Sequence, residues 1–243
     1  MKYEELKARL HALGLDTLAS GLESQRQSPD LYAETSFEER LGMLVEGEAL
    51  DRESKAMNRR VLAALFRDAN ASLENLDYDK RRGLSKPVVA KLREGLWLKE
   101  KVGVIITGPT GAGKTYLACA LGIRACLQGY GTRYYRITNL LEDLAEHRRA
   151  DKRRAFIRNL NRRSLLIIDD FAHTMMSEEE QKDLIELVED RYGKASTMIT
   201  SQQSVERWHG TMENPTLADA ILDRLVHKTE RIALQGEDSM RKR

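Results

Sequence analysis

The stretch GPTGAGKT at residues 108–115 restricts the possible folds more than any other part of the 243-residue sequence. It follows the apolar run VGVIIT and opens the helix-forming run TYLACALGIRAC, the strand–loop–helix setting in which a glycine-rich loop wraps phosphate. Gly108, Gly111 and Gly113 let the backbone curl until successive N–H groups point inward, and the helix that follows adds the positive end of its dipole. Pro109, Thr110 and Ala112 complete the cradle. Lys114 is placed to reach the β- and γ-phosphates, and the Thr115 hydroxyl to ligate Mg²⁺. The spacing predicts a nucleoside triphosphate site at the edge of an α/β sheet.

The sequence beyond residue 87 supplies such a sheet. Short β-rich runs at 102–107, 132–137, 163–169 and 196–200 alternate with helical stretches at 114–127, 138–147, 152–161 and 178–192. That alternation predicts a parallel sheet sandwiched by helices. The run LLIIDDF delivers Asp169 and Asp170 to the C-terminal edge of the sheet, where open α/β sheets bind ligands. Asp169 is expected to hold Mg²⁺ through its water shell, and Asp170 to orient and polarise the attacking water. The first third is helical instead: Tyr3, Leu6, Leu10 and Leu13 recur at helical spacing, and Ser36 with Glu39 forms a capping box ahead of Leu41, Leu44 and Val45. The expected organisation is a helical partner or oligomerisation domain over 1–67, a linker over 68–87 and an ATPase core over 88–243.

The formal charge is only +2, but its distribution is uneven: −3 over residues 1–60, +9 over 101–163 and −6 over 164–243. A local anionic partner is implied, not a generally sticky surface. Cys119 and Cys126 have no pairing or metal spacing and read as buried residues of a reducing compartment. The opening lacks a signal-peptide core and no stretch approaches membrane-spanning length, so a soluble cytoplasmic protein is expected.

Neither the base-reading motif of GTPases nor the signature of transporter ATPases is present. The run STMIT leads to Ser201 and Gln202, polar residues positioned to approach a γ-phosphate. The amphipathic run LADAILDRL carries Arg224, which either pairs with Asp219, Asp223 or Glu230 or serves as an arginine finger for a neighbouring subunit. The basic positive segment ends in RRADKRRAFIRNLNRR, beginning at Arg148 and Arg149. With Asp151 as its N-cap, a helix here puts Phe156, Ile157 and Leu160 on one side. Arg154, Arg158 and Arg162 then form a ridge on the other, with Lys152 nearby. Like charges at such spacing repel, so the ridge suits DNA contact first, with subunit contact and plain solvation level behind it. The only aromatic points to the core side, which favours duplex backbone contacts over single-strand stacking.

The set GPTGAGKT, LLIIDDFAH, ITSQQSVERWHG and PTLADAILDRLVHKTERIALQGEDSMRK closely resembles the IstB-type ATPases, transposition helpers encoded by bacterial insertion sequences. These are AAA+ ATPases related to DnaC-type helicase loaders. The segment FRDANASLENLDYD is similar to the linker of that family, so the resemblance spans nearly the whole chain. It implies an AAA+ core behind a small helical domain, ATP-promoted assembly on duplex DNA as a head-to-tail oligomer, partnership with a transposase and help in choosing the insertion site. By position, Gly108 to Thr115 match the Walker A loop, Asp169 and Asp170 the Walker B pair, Gln202 sensor 1 and Arg224 the finger. Arg241 is a candidate sensor 2 analogue. Many AAA+ proteins carry Glu where this chain has Asp170, and Asn where it has Gln202. The shorter acid draws the carboxylate back by about 1.5 Å, which implies slow turnover suited to a timer. A DnaC-like helicase loader and, from another class, a metabolic P-loop kinase are the competing readings.

Overall fold

A computed structural model of the chain describes residues 2–78 and 83–236. Two compact units divide between Arg59 and Arg60. In the first, α1 (Tyr3–Ala12), α2 (Asp16–Gln27) and the first part of α3 (Phe37–Ala64) follow one another. The capping box at the start of α3 forms: the Glu39 amide donates to Ser36 Oγ at 3.2 Å, and the Ser36 amide donates to Glu39 Oε2 at 2.9 Å. Glu48 accepts from the Leu18 amide at 3.1 Å and from Arg52 Nε at 2.8 Å, tying α3 to the first turn of α2. The apolar core of this unit is thin. Ala19 and Leu44 are buried, whereas Phe37, Met43, Val45 and Leu50 stay exposed.

The second unit is the α/β core. After α4 (Lys86–Arg93) and α5 (Leu96–Lys99) come β1 (Gly103–Thr107), α6 (Lys114–Leu127), β2 (Thr132–Arg136), α7 (Ile137–Arg149) and α8 (Arg153–Asn161). Then follow β3 (Leu165–Phe171), α9 (Glu178–Arg191), β4 (Ser196–Ser201), α10 (Pro215–Val226) and β5 (Thr229–Ala233). The five strands form a parallel sheet in the order β2-β3-β4-β1-β5. Alternate strand residues feed two cores, as the period of two requires. Val104, Ile106, Leu165 and Ile167 pack with α6, while Ile105, Leu166, Ile168 and Ile199 pack with α7 to α10. Among the described residues no helix is long and apolar enough to cross a membrane.

The four expected strands are present. The edge strand β5 was not expected, because only Ile232 along it is buried and it carries no apolar run. The stretch expected as a linker, 68–87, contributes Ala71, Leu73 and Leu84 to the core cluster on the α6 side. Arg241 lies outside the described residues.

Candidate functional site

The loop from Gly108 to Gly113 leaves β1 at its C-terminal end, flanked on both sides by strands. The Gly108 amide donates to the Ser201 carbonyl of β4 at 3.2 Å, and the Leu234 amide beyond β5 donates to Thr107 at 2.7 Å. Gly108 has φ +150°, and a Cβ there would lie 2.4 Å from the Leu234 carbonyl oxygen, so no other residue fits without moving backbone. Gly113, at φ +87°, turns the chain into α6. The Lys114 ammonium donates to the carbonyls of Gly108 and Pro109 at 2.8 Å each. A cavity of 540 Å³ is bordered by Thr110, Lys114, Thr115, Asp170 and Gln202, and also by Arg67 and Leu84. That volume suits a nucleotide-sized ligand.

Asp169 is fully buried, yet three hydroxyls satisfy it. Thr115 Oγ1 lies 3.0 Å from both carboxylate oxygens, Tyr134 donates at 2.6 Å from β2, and Thr200 donates from β4. Burial and the adjoining Asp169 carboxylate push the Tyr134 pKa up, which keeps its hydroxyl a donor. Thr115 and Asp169 thus present hard oxygen donors side by side, the donor type Mg²⁺ takes in company with phosphate oxygens and waters. The residues fit that ion.

Asp170 is separated from Asp169 by a bulge. Ile168 pairs with Ile199 and Phe171 with Ser201, so both aspartates stand opposite the single residue Thr200. Asp170 adopts a left-handed φ of +59°, and its amide donates to Thr200 Oγ1 at 3.1 Å. Without the bulge, successive side chains would leave opposite faces of the sheet. With it, Asp170 lines the cavity while Asp169 holds Thr115. Arg136, at the end of β2, donates to Asp170 at 3.1 Å. Gln202 accepts from Thr110 Oγ1 at 2.7 Å, which joins the end of β4 to the phosphate loop.

A profile of the IstB-like ATP binding proteins matches residues 8–243. The chain belongs to this family. An insertion sequence ATP-binding protein of Sinorhizobium fredii is 40% identical over 233 residues, covering 96% of this chain and 94% of that protein. The ATP-binding protein of insertion sequence IS1162 of Pseudomonas fluorescens is 37% identical over 202 residues, with 83% and 87% covered. Among solved structures, the DnaC helicase loader has a TM-score of 0.58 at 17% identity, over 68% of this chain and 97% of that one. AMPPCP-bound DnaA from Aquifex aeolicus has a TM-score of 0.60 at 21% identity, over 72% and 53%. At these identities the two structures speak for the AAA+ fold alone. Membership of the IstB-like family removes the metabolic kinase reading.

Two other sets of expected IstB-like residues lie away from the cavity. Arg224, on α10, does not line it; its guanidinium meets Glu189 at 3.0 Å and Asp223 at 3.5 Å, so one of the three expected partners is found and Glu189 replaces the others. The basic run differs from expectation in two respects. Asp151 is not the cap of α8, which starts at Arg153 with Lys152 before it. Instead Asp151, at φ +54°, closes α7: its amide donates to Arg148 and the Lys152 amide donates to His147, the two bonds of a Schellman turn. Arg148 is also not free for a partner, because it pairs with Glu179 at 2.9 Å and Asp183 at 3.4 Å. Arg149, Lys152, Arg154, Arg158 and Arg162 are exposed and make no ion pair among the described residues. Phe156 stacks on His147 at 4.2 Å, on the inner side as expected.

Several residues that surround the site had no motif to announce them. Tyr134, Arg136 and Thr200 are ordinary strand residues until the register of β2, β3 and β4 places them around the two aspartates. Arg191 is 1% exposed and donates to the carbonyls of Leu160, Arg163 and Ser196, clamping the end of α8 to the sheet. Burial lowers its pKa to about 10, so it stays charged near neutral pH. The apolar spacing of Ala71, Leu73, Leu76 and Leu84 was the available signal that the cavity wall continues upstream of β1.

Proposed function

We propose that this chain is the ATP-dependent, DNA-binding helper of a transposase, which assembles head to tail on duplex DNA, supports target-site selection and hydrolyses ATP slowly as a timer. The reading is carried by the joined array Thr115–Asp169–Thr200–Asp170 beside the phosphate loop, in a chain whose relatives are named as ATP-binding proteins of insertion sequences. The loop amides and Lys114 bind the β- and γ-phosphates. Mg²⁺ held by Thr115 and Asp169 would supply charge neutralisation at those phosphates. Asp170 orients the attacking water, and Gln202, tied to Thr110, stands beside the γ-phosphate position. Arg224 acts in trans, inserted into the neighbour's site, which is why it has no place at its own. Head-to-tail contacts of that kind close into rings or continue as helices.

The ridge Arg154, Arg158 and Arg162, with Arg149 and Lys152, is the surface proposed for duplex phosphates, supported by its exposure and lack of acidic partners. Arg148, committed to α9, is the weakest member of the set. The helical domain, with Met43, Val45 and Leu50 exposed on α3, is proposed to dock the transposase or another subunit. A helicase-loader role is the second reading, favoured by the likeness to the DnaC fold; co-purification with a replicative helicase in place of a transposase would establish it. The chemical assignment is tested by Asp170→Asn. ATP binding and DNA-dependent assembly are expected to persist while phosphate release stops, and normal turnover in that variant would sink the assignment.

A further inference from the structure

Arg67 is the only arginine bordering the cavity among the described residues, and although it lies in the segment that resembles the family's linker, no nucleotide motif includes it. Its Nη1 lies 3.9 Å from Asp169 Oδ2 and 3.9 Å from Asp170 Oδ2. Both distances exceed hydrogen-bond reach, and the side chain forms no hydrogen bond among the described residues. Each carboxylate has closer hydrogen-bond partners. Asp169 accepts from three hydroxyls, and Asp170 is bonded to Arg136 at 3.1 Å. Arg67 is therefore a guanidinium that pairs at 3.9 Å with both carboxylates but hydrogen-bonds no acceptor among the described residues, 44% exposed and facing the cavity beside the phosphate loop.

Its backbone is fixed. Leu65 breaks from α3 with a left-handed φ of +56°, and Phe66 is seated against α6 and β3. A Cβ added at Gly122 of α6 would lie 2.5 Å from the Phe66 ring and 2.7 Å from Ile167, so Phe66 occupies the space that glycine leaves open. The residue after this anchor is aimed at the two aspartates. The loop amides follow the inner phosphates of a bound nucleotide, whereas Asp170 marks the end where water attacks. Arg67, beside Asp170, stands at that outer end.

We propose that Arg67 is a phosphate-binding residue acting within its own subunit, with the terminal phosphate of the triphosphate as its ligand, so that it distinguishes ATP from ADP. A phosphate offers the guanidinium fork paired acceptors that the carboxylates at their present distances do not. The inference rests on the cavity being the ATP site. A role in cis also separates Arg67 from Arg224, whose proposed target is the neighbouring subunit.

The test is calorimetric titration of the full chain with ADP and with a non-hydrolysable ATP analogue, for the wild type, Arg67→Gln and Arg67→Lys. Losing charge-assisted hydrogen bonds to one phosphate is expected to weaken analogue binding by roughly ten- to a hundred-fold in Arg67→Gln, with ADP binding unchanged within about two-fold. Arg67→Lys keeps the positive charge beside Asp169 and Asp170, so any structural need for that charge is met, and it is expected to lose part of the analogue affinity and none of the ADP affinity. Parallel loss of both ligands, or of neither, in the folded variants overturns the proposal. A wild type that binds neither nucleotide overturns the ATP site itself.

Discussion

Asp169 and Asp170 are adjacent in sequence and identical in type, yet the bulge opposite Thr200 gives them separate surroundings. Asp169 is locked by hydroxyls from three elements, and Tyr134 is the one of these that touches neither the phosphate loop nor Asp170. Tyr134→Phe removes only that donor, with little change in shape. Loss of a partner of this kind behind a metal ligand commonly costs ten- to a hundred-fold in metal affinity. The concentration of Mg²⁺ that half-saturates nucleotide binding is expected to rise by about ten-fold or more, while the melting temperature shifts only a few degrees. An unchanged Mg²⁺ requirement would show that Tyr134 does not orient Asp169. At this scale the phosphate loop was legible because its chemistry demands a fixed set of residues at fixed spacing. Tyr134, Thr200 and Arg67 were not, because their places beside the aspartates arise from which strands become neighbours and from where one anchored phenylalanine sits.

Among the elements, α8 shows how a charged stretch divides between structure and surface. Ile157 and Leu160 are buried, Arg153 pairs with Asp183 and Glu186 at 2.7 Å each, and Arg191 clamps the helix end. Arg154, Arg158 and Arg162 remain outside these commitments. Reversal of all three to Glu is expected to lower duplex DNA affinity and to flatten its salt dependence. Each lost phosphate contact removes about 0.9 from the slope of log K against log salt, so the total reduction is about 2 to 3 units. Fluorescence anisotropy over a salt series measures it, and an unchanged slope would exclude α8 as the contact. The apolar edge of this helix was legible from periodicity. The fate of Arg148, Asp151 and Arg153 was not, since Asp183 lies in a helix far along the chain and the turn that ends α7 depends on one left-handed residue. The strand β5 escaped for a related reason: it is held by its ladder to β1, not by an apolar signature of its own.

For the whole molecule, the proposed function has ATP driving this IstB-like chain to assemble on duplex DNA, with each nucleotide site completed by the next subunit. The family of the chain was legible from its motifs because they run from the phosphate loop to α10, whereas the division at Arg59 and Arg60 was not, since it falls inside the continuous helix α3. In that assembly Arg224 is the residue proposed to reach the neighbouring site. It is held at the surface by Glu189 and Asp223 and has no place at its own cavity. Electron microscopy of the full chain with duplex DNA, with ATP analogue or ADP, and with Arg224→Ala alongside, tests it in one series. Rings or helical filaments on DNA are expected only for the wild type with the ATP analogue, while Arg224→Ala still binds the analogue as single subunits. Assemblies of equal extent with ADP, or undiminished in Arg224→Ala, would contradict it.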